Sequence, residues 1–319
     1  MMLHRGLLFW GLALITAGAV ALAVQADYLD PDTLAGAWRL WPLLLIAIGV
    51  SIVLSRTPFA IVGTIAAALV VGTAGGALFA VGPVVAGCGG AEPTSLDTET
   101  GRFGDVADVS LDFNCGTLEV ATTDQDEWTV RSGHVGGEPA RINADGDSLR
   151  VQSGNTDRWW DAGRQTWIVS LPQRTTYDLD ITPNAADTTI DLGGGRFASV
   201  VLHPNAGAVS LDLTDAQLEN LDLDLNAGSV TVQIGEGLSM DASMSVNAGS
   251  IEVCTEDGVA VRVTTNANIT FSHNLDELGL SRVGDTWSTA GFADADDQVS
   301  IQIDGNAASF ALNPEGGCS

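Results

Sequence analysis

A chain of 319 residues with 40 acidic side chains, 13 arginines and no lysine carries a formal net charge of −27. That balance excludes nucleic acid as a partner, because a polyanion needs clustered cations to displace its counterions. The length allows one or two folded units. The charge falls unevenly, with residues 1–89 neutral and the whole −27 on residues 90–319.

The chain opens with uncharged apolar runs over residues 7–24, 40–55 and 59–85. A helix needs roughly 20 such residues to cross a bilayer, so the runs predict three transmembrane helices in a membrane domain over 1–88. The first run lacks a good signal cleavage site and two more spans follow it, which favours an anchor over a removed leader. Arg5 and Arg56 belong on the cytoplasmic side, and the loop with Asp27, Asp30 and Asp32 on the other; Arg39 is an exception. Three crossings from an internal N-terminus put the C-terminal domain outside the cytoplasm. Trp10, Trp38 and Trp41 suit interfacial depths. Gly72 and Gly76 make a small-xxx-small step, either a helix contact or ordinary transmembrane glycine.

The segment Arg5-Gly6-Leu7-Leu8-Phe9-Trp10-Gly11, with Trp38-Arg39-Leu40-Trp41-Pro42 entering a Gly-containing apolar helix, resembles the LiaI/LiaF-type transmembrane region of bacterial envelope-stress proteins. The resemblance covers about residues 5–82. Members of that group often have four spans where three are counted here, and a fourth would reverse the sidedness. Val85-Ala86-Gly87-Cys88 has the small-small-Cys pattern of a lipobox, so Cys88 is either a lipidation site or a linker cysteine. Residues 89–105 read as linker.

From Val106 the apolar residues alternate: Val109, Leu111 and Phe113, then Leu118 and Val120, Leu149 and Val151, and Trp167, Val169 and Leu171. No 3.6-residue period persists beyond the membrane region, so residues 106–319 are expected to be all-β. Within them Asn184-Ala185-Ala186, Asn205-Ala206-Gly207, Asn226-Ala227-Gly228 and Asn247-Ala248-Gly249 follow one another at a constant interval. A fixed period of this size, about 21 residues, marks stacked repeats. Asn184, Asn205, Asn226 and Asn247, with Gly207, Gly228 and Gly249, are expected at the corners, since Asn tolerates and Gly freely takes positive φ. Three positions before each Asn stand Ile181, Leu202, Leu223 and Met244; six after stand Ile190, Leu211, Val232 and Val253. One unit cannot bury such an edge alone, but stacked units can. A β-solenoid (β-helix) is expected, with its Asn side chains in one file about 4.8 Å apart; a β-sandwich or meander is the alternative. Regularity fades at Asn266-Ala267-Asn268 and Asn306-Ala307-Ala308, as in a cap.

The stretch Trp167-Ile168-Val169-Ser170-Leu171-Pro172, then Tyr177-Asp178-Leu179-Asp180-Ile181 and the Asn-Ala-Gly rungs, is similar to the adhesin-type β-solenoid domains called toastrack domains. This covers about residues 106–315. It implies an envelope protein of sensing, scaffolding or adhesin type, and brings no catalytic residues with it.

Cys115 replaces Ala in an Asn-x-Gly rung and is expected to be a buried free thiol. A bridge to Cys254 would span about six coils, roughly 30 Å, against the roughly 7 Å a disulfide allows. His4, His134, His203 and His273 are scattered without metal spacing. No Gly-x-Ser-x-Gly or phosphate loop occurs. Asp222/Asp224 and Asp294/Asp296/Asp297 read as outward strand residues rather than glycosidase acids. Trp159-Trp160 with Trp167 either cap the stack or bind a sugar. The acidic surface reads as a solvated exterior, with calcium sites as the alternative; no cofactor is expected. The expectation is a non-enzymatic, multi-pass envelope protein whose partners are the bilayer and other membrane, envelope or wall components. The rivals are a solenoid carbohydrate-active enzyme and a lipid-anchored adhesin.

Overall fold

The computed structural model describes residues 11–12, 14–16, 18–19, 68–73, 92–135, 138–154, 163–267 and 271–314. The chain divides into two compact units, Met1–Gly89 and Gly90–Ser319. In the first, all the described residues are helical. Thr16 Oγ1 donates to the Leu12 carbonyl at 2.8 Å and Thr73 Oγ1 to that of Leu69 at 2.7 Å, which satisfies each hydroxyl within its own apolar helix. Among the described residues no helix is long and apolar enough to cross a membrane. The span expected at 40–55 lies outside the described residues, as do Trp10, Trp38, Trp41 and Cys88.

The second unit is all-β. Its strands are β1 (Asp97–Gly101), β2 (Val106–Thr123), β3 (Trp128–Val135), β4 (Arg141–Asp145), β5 (Ser148–Gln152), β6 (Arg164–Pro172), β7 (Thr176–Asp191) and β8 (Arg196–Leu202). They continue with β9 (Gly207–Asp212), β10 (Gln217–Ile234), β11 (Met240–Thr255), β12 (Ala260–Ala267), β13 (Ser272–His273), β14 (Ser281–Val283), β15 (Thr286–Ser288) and β16 (Gln298–Leu312). Asp97–Gly101, expected as linker, pair antiparallel with β3 as part of this unit.

The long strands bend once, at the Asn-Ala-Gly corner, so each coil has a limb before it and a limb after. Coils pair in parallel. In β10 and β11 Leu223 lies opposite Met244 and Val230 opposite Ile251, so one step in the stack is one repeat in the chain. The same advance joins β7 to β9 and β9 to β10. Alternation then sends every second side chain inward. Ile181, Leu202, Leu223 and Met244 form one buried row before the corners, and Ile190, Leu211, Val232 and Val253 one after them.

Spatial order departs from chain order at both ends. The main path runs β1, β3, β6, β2, β7, β8, β10, β11, β16, β12, β15, β14. Strand β2 therefore lies between β6 and β7, and β16 between β11 and β12, parallel to both neighbours in each case. Antiparallel strands close the ends, β3 and β1 at one and β15 and β14 at the other. The outermost of these, β1 and β14, are short and exposed, which blunts an edge that could otherwise template aggregation.

Candidate functional site

The six asparagines Asn114, Asn184, Asn205, Asn226, Asn247 and Asn306 form one hydrogen-bonded file. Asn184 Nδ2 donates to Asn114 Oδ1 at 3.1 Å, Asn205 to Asn184 at 2.5 Å, Asn226 to Asn205 at 2.7 Å, Asn247 to Asn226 at 3.0 Å and Asn306 to Asn247 at 3.0 Å. Each inner amide both donates and accepts, so all the side-chain dipoles point one way. Sequence spacing singled out four of the six. Asn114 and Asn306 carry the same Asn-x-small signature at other intervals, and Asn266, which also follows a coil's first limb, lies opposite Asp304 instead.

Two residues after the Asn, the glycines allow the coils to approach. Gly207, Gly228 and Gly249 have φ of 116°, 118° and 144°. A Cβ on any of the three would sit 2.1 Å from a carbonyl oxygen of the preceding coil. Only glycine combines this dihedral with this clearance.

Outside the corners each limb presents a flat polar face. Before the corner, one outward row runs Asp178, Ser199, Asn220, Asp241, Ser300 and Arg262 across β7, β8, β10, β11, β16 and β12. Ser199 Oγ donates to Asp178 at 2.6 Å. An open groove of about 570 Å3 lies over this face, lined by Ser199, Asn220, Asp222, Asp241, Ser243 and Arg262 among others. Beyond the corner, Asp187, Ala208, Ser229, Ser250 and Ser309 make a row of small side chains. Charge on these faces is spread at strand spacing.

Among the described residues the histidines lie apart from one another. His203 Nδ1 stands 3.5 Å from Asp224 Oδ2, while His134 lies on β3 and His273 on β13. Among the described residues no three His, Cys, Asp or Glu side chains group as a metal site would require. Asp222 lies opposite Ser243 on an exposed face, with no second carboxylate directly across from it. Asp276 is held below the usual carboxylate range by the Trp287 indole N–H, which donates at 3.0 Å, and then by Arg282 and His273. That cluster pins the β14–β15 hairpin. Tyr177 is fully buried and donates to the Pro172 carbonyl at 2.8 Å, and burial pushes its phenol up to about 12.

Two expectations are corrected. Cys115 is buried as expected but is not a free thiol: it and Cys254 are both disulfide-bonded. It is buried at the corner position where Ala227 and Ala248 of the inner coils are exposed. Four steps of the file separate the Asn114 and Asn247 corners, roughly 19 Å, so neither cysteine is the other's partner. Trp167 neither caps the stack nor faces a ligand. It is fully buried on β6, edge-on to Phe113 at 4.8 Å, with β3 closing over that end. Trp159 and Trp160 lie outside the described residues.

Comparison with known proteins bears on both units. Residues 8–53 match the LiaI-LiaF-like transmembrane region. That match covers the first two expected spans. A comparison with curated proteins finds no match. Among solved structures, the β unit is similar to a candidate cell adhesion protein from Clostridium sporogenes, at 12% identity and a TM-score of 0.46, over 68% of this chain and 99% of that one. It is also similar to a candidate adhesin from Bacteroides fragilis (9% identity, TM-score 0.26, 70% and 100% covered). A third is a candidate lipid binding protein from Parabacteroides distasonis (10% identity, TM-score 0.26, 70% and 98% covered).

Proposed function

We propose that the chain is a membrane-anchored cell-envelope protein that displays an acidic β-solenoid of about 21-residue coils outside the cytoplasm. It works by contact rather than catalysis, in envelope-stress sensing, scaffolding or adhesion. The observation that carries the sidedness is the pair of disulfide-bonded cysteines, Cys115 and Cys254, because disulfides persist in oxidising compartments and are rare in the cytosol. The match of residues 8–53 to a transmembrane region supports the anchor. The evenly spaced Asp, Ser, Thr and Asn side chains of the two faces support an interaction role. An enzyme site needs convergent acid, base or nucleophile. Carboxylates do meet in pairs on neighbouring strands, Asp108 opposite Asp178 and Asp191 opposite Asp212, but among the described residues no three His, Cys, Asp or Glu side chains group as a metal site would require. Partners on this reading are the bilayer and membrane or wall components with polar, cation-bearing surfaces.

Ser243 is exposed on the groove face. A Ser243→Cys variant treated in intact cells with a membrane-impermeant maleimide should label as fully as after lysis. Labelling only after lysis would place the domain inside and overturn the reading.

A further inference from the structure

The polar face before the corners carries charges that its own neighbours do not answer. Its open groove, about 570 Å3, is of the size that small ligands occupy. Two of the outward rows that cross it hold the charges. In one, Asp241 stands between Asn220 and Ser300, with Arg262 beyond Ser300. In the next, Asp222 stands between Val201 and Ser243. Neither carboxylate therefore has a cation at its own level on a neighbouring strand. The two lie on adjacent strands, one row apart, so an ammonium group can sit between them and meet both.

Arg262 supplies the opposite charge at one end of the groove. Its guanidinium lies over the buried Phe292 ring, 4.1 Å from the centroid, and makes no ion pair among the described residues. Stacking occupies the face of the guanidinium and leaves its N–H fork free to take a carboxylate in two parallel bonds. On a unit that carries the whole −27, a cation held apart from the carboxylates is available to one that a ligand brings. Two strand steps separate Arg262 from Asp241 and three separate it from Asp222, about 9.6 and 14 Å. An extended peptide advances about 3.3–3.6 Å per residue, so three or four residues bridge that gap. Ser243, Ser300 and Gln302 line the interval, and their hydroxyls and amide both donate and accept, as peptide groups require.

From this we infer that the groove binds short peptides of three or four residues with both termini free. The carboxylate sits on Arg262 and the ammonium between Asp222 and Asp241, with the peptide running along the stack across the strands. A polyanion would meet two carboxylates for one guanidinium, and a neutral chain would leave all three charges unanswered. The inference concerns the groove alone and does not depend on the sidedness proposed above.

Saturation-transfer NMR on the full chain in detergent, with tetra-alanine as the probe, tests this. Tetra-alanine with free termini should bind, and capping either end, as the N-acetyl or the C-amide form, should weaken it about fivefold, the effect of one exposed charge pair. Free alanine, too short to reach both charges, should bind no better than the capped forms. Arg262→Gln should lower the affinity for tetra-alanine to that of the C-amide while leaving the C-amide unaffected, and Arg262→Lys should restore part of the loss. Asp222→Asn with Asp241→Asn should act in the same way toward the N-acetyl form. The comparison of capped with free peptide uses the parent chain, so no folding defect of a variant can obscure it. The inference is overturned if tetra-alanine does not bind, if capped and free forms bind alike, or if Arg262→Gln weakens the C-amide as much as the free peptide. It is also overturned if maltotetraose, a neutral chain of four units, binds as well as tetra-alanine.

Discussion

At the residue scale, the Asn and the Gly of one corner differ in what they hold. Asn226 donates to Asn205 and accepts from Asn247, but it is exposed, so water can replace either bond. Asn226→Ala should cost about 0.5–1.5 kcal/mol of stability. Gly228, two positions on, has φ of 118° and a carbonyl oxygen 2.1 Å from where a Cβ would stand. A side chain there must both enter a disfavoured dihedral and push two coils apart. Gly228→Ala should cost more than the roughly 1–3 kcal/mol of backbone strain alone, and therefore more than Asn226→Ala. Equilibrium urea unfolding of the two variants ranks them. A larger loss for the Asn variant would mean that the file, rather than the close approach, sets the coil spacing.

At the element scale, the turn from β6 into β7 is clasped by Tyr177, whose hydroxyl reaches back to Pro172 and whose ring lies 5.6 Å from that of Phe197 and 5.9 Å from that of Phe103. Its phenol, pushed up to about 12 by burial, holds its proton more tightly folded than unfolded, where ionisation falls near 10. The stabilisation from this group is complete below pH 10 and is lost as pH rises toward 12, by about 2–3 kcal/mol in all. A Tyr177→Phe variant, which cannot ionise, should lose less stability than the parent across that window in alkaline thermal melts. The strands themselves were legible where period-two alternation met Asn-x-Gly corners: the rows through Leu223 and Val232 are buried as the repeat requires. Insertion of β2 and β16 was not legible. A strand's own residues state which face is apolar, while its neighbours in a parallel sheet are chosen by contacts far away in the chain. Hence Asn114 and Asn306, off the regular interval, read as exceptions although they complete the file. Separation in sequence placed Cys115 about six coils from Cys254, and insertion of β2 beside β7 shortens that to four steps.

At the scale of the whole molecule, the order of coils carries the account. Both ends of the β unit are held by a strand paired on two sides, and its acidic faces follow from outward rows stacked at strand spacing. Asp112 and Asp304 belong to one such row, joined through Thr182, Asp224 and Ser245. With β2 beside β7 and β16 beside β11, five strand steps separate them, about 24 Å. Were the coils stacked strictly in chain order, β5 and β12 would intervene and the separation would be about 34 Å. Spin labels on Asp112→Cys and Asp304→Cys, measured by pulsed dipolar spectroscopy, distinguish the two. The inserted order of the stack predicts a distribution centred on the shorter, five-step separation, and one centred on the longer, chain-order separation would contradict it.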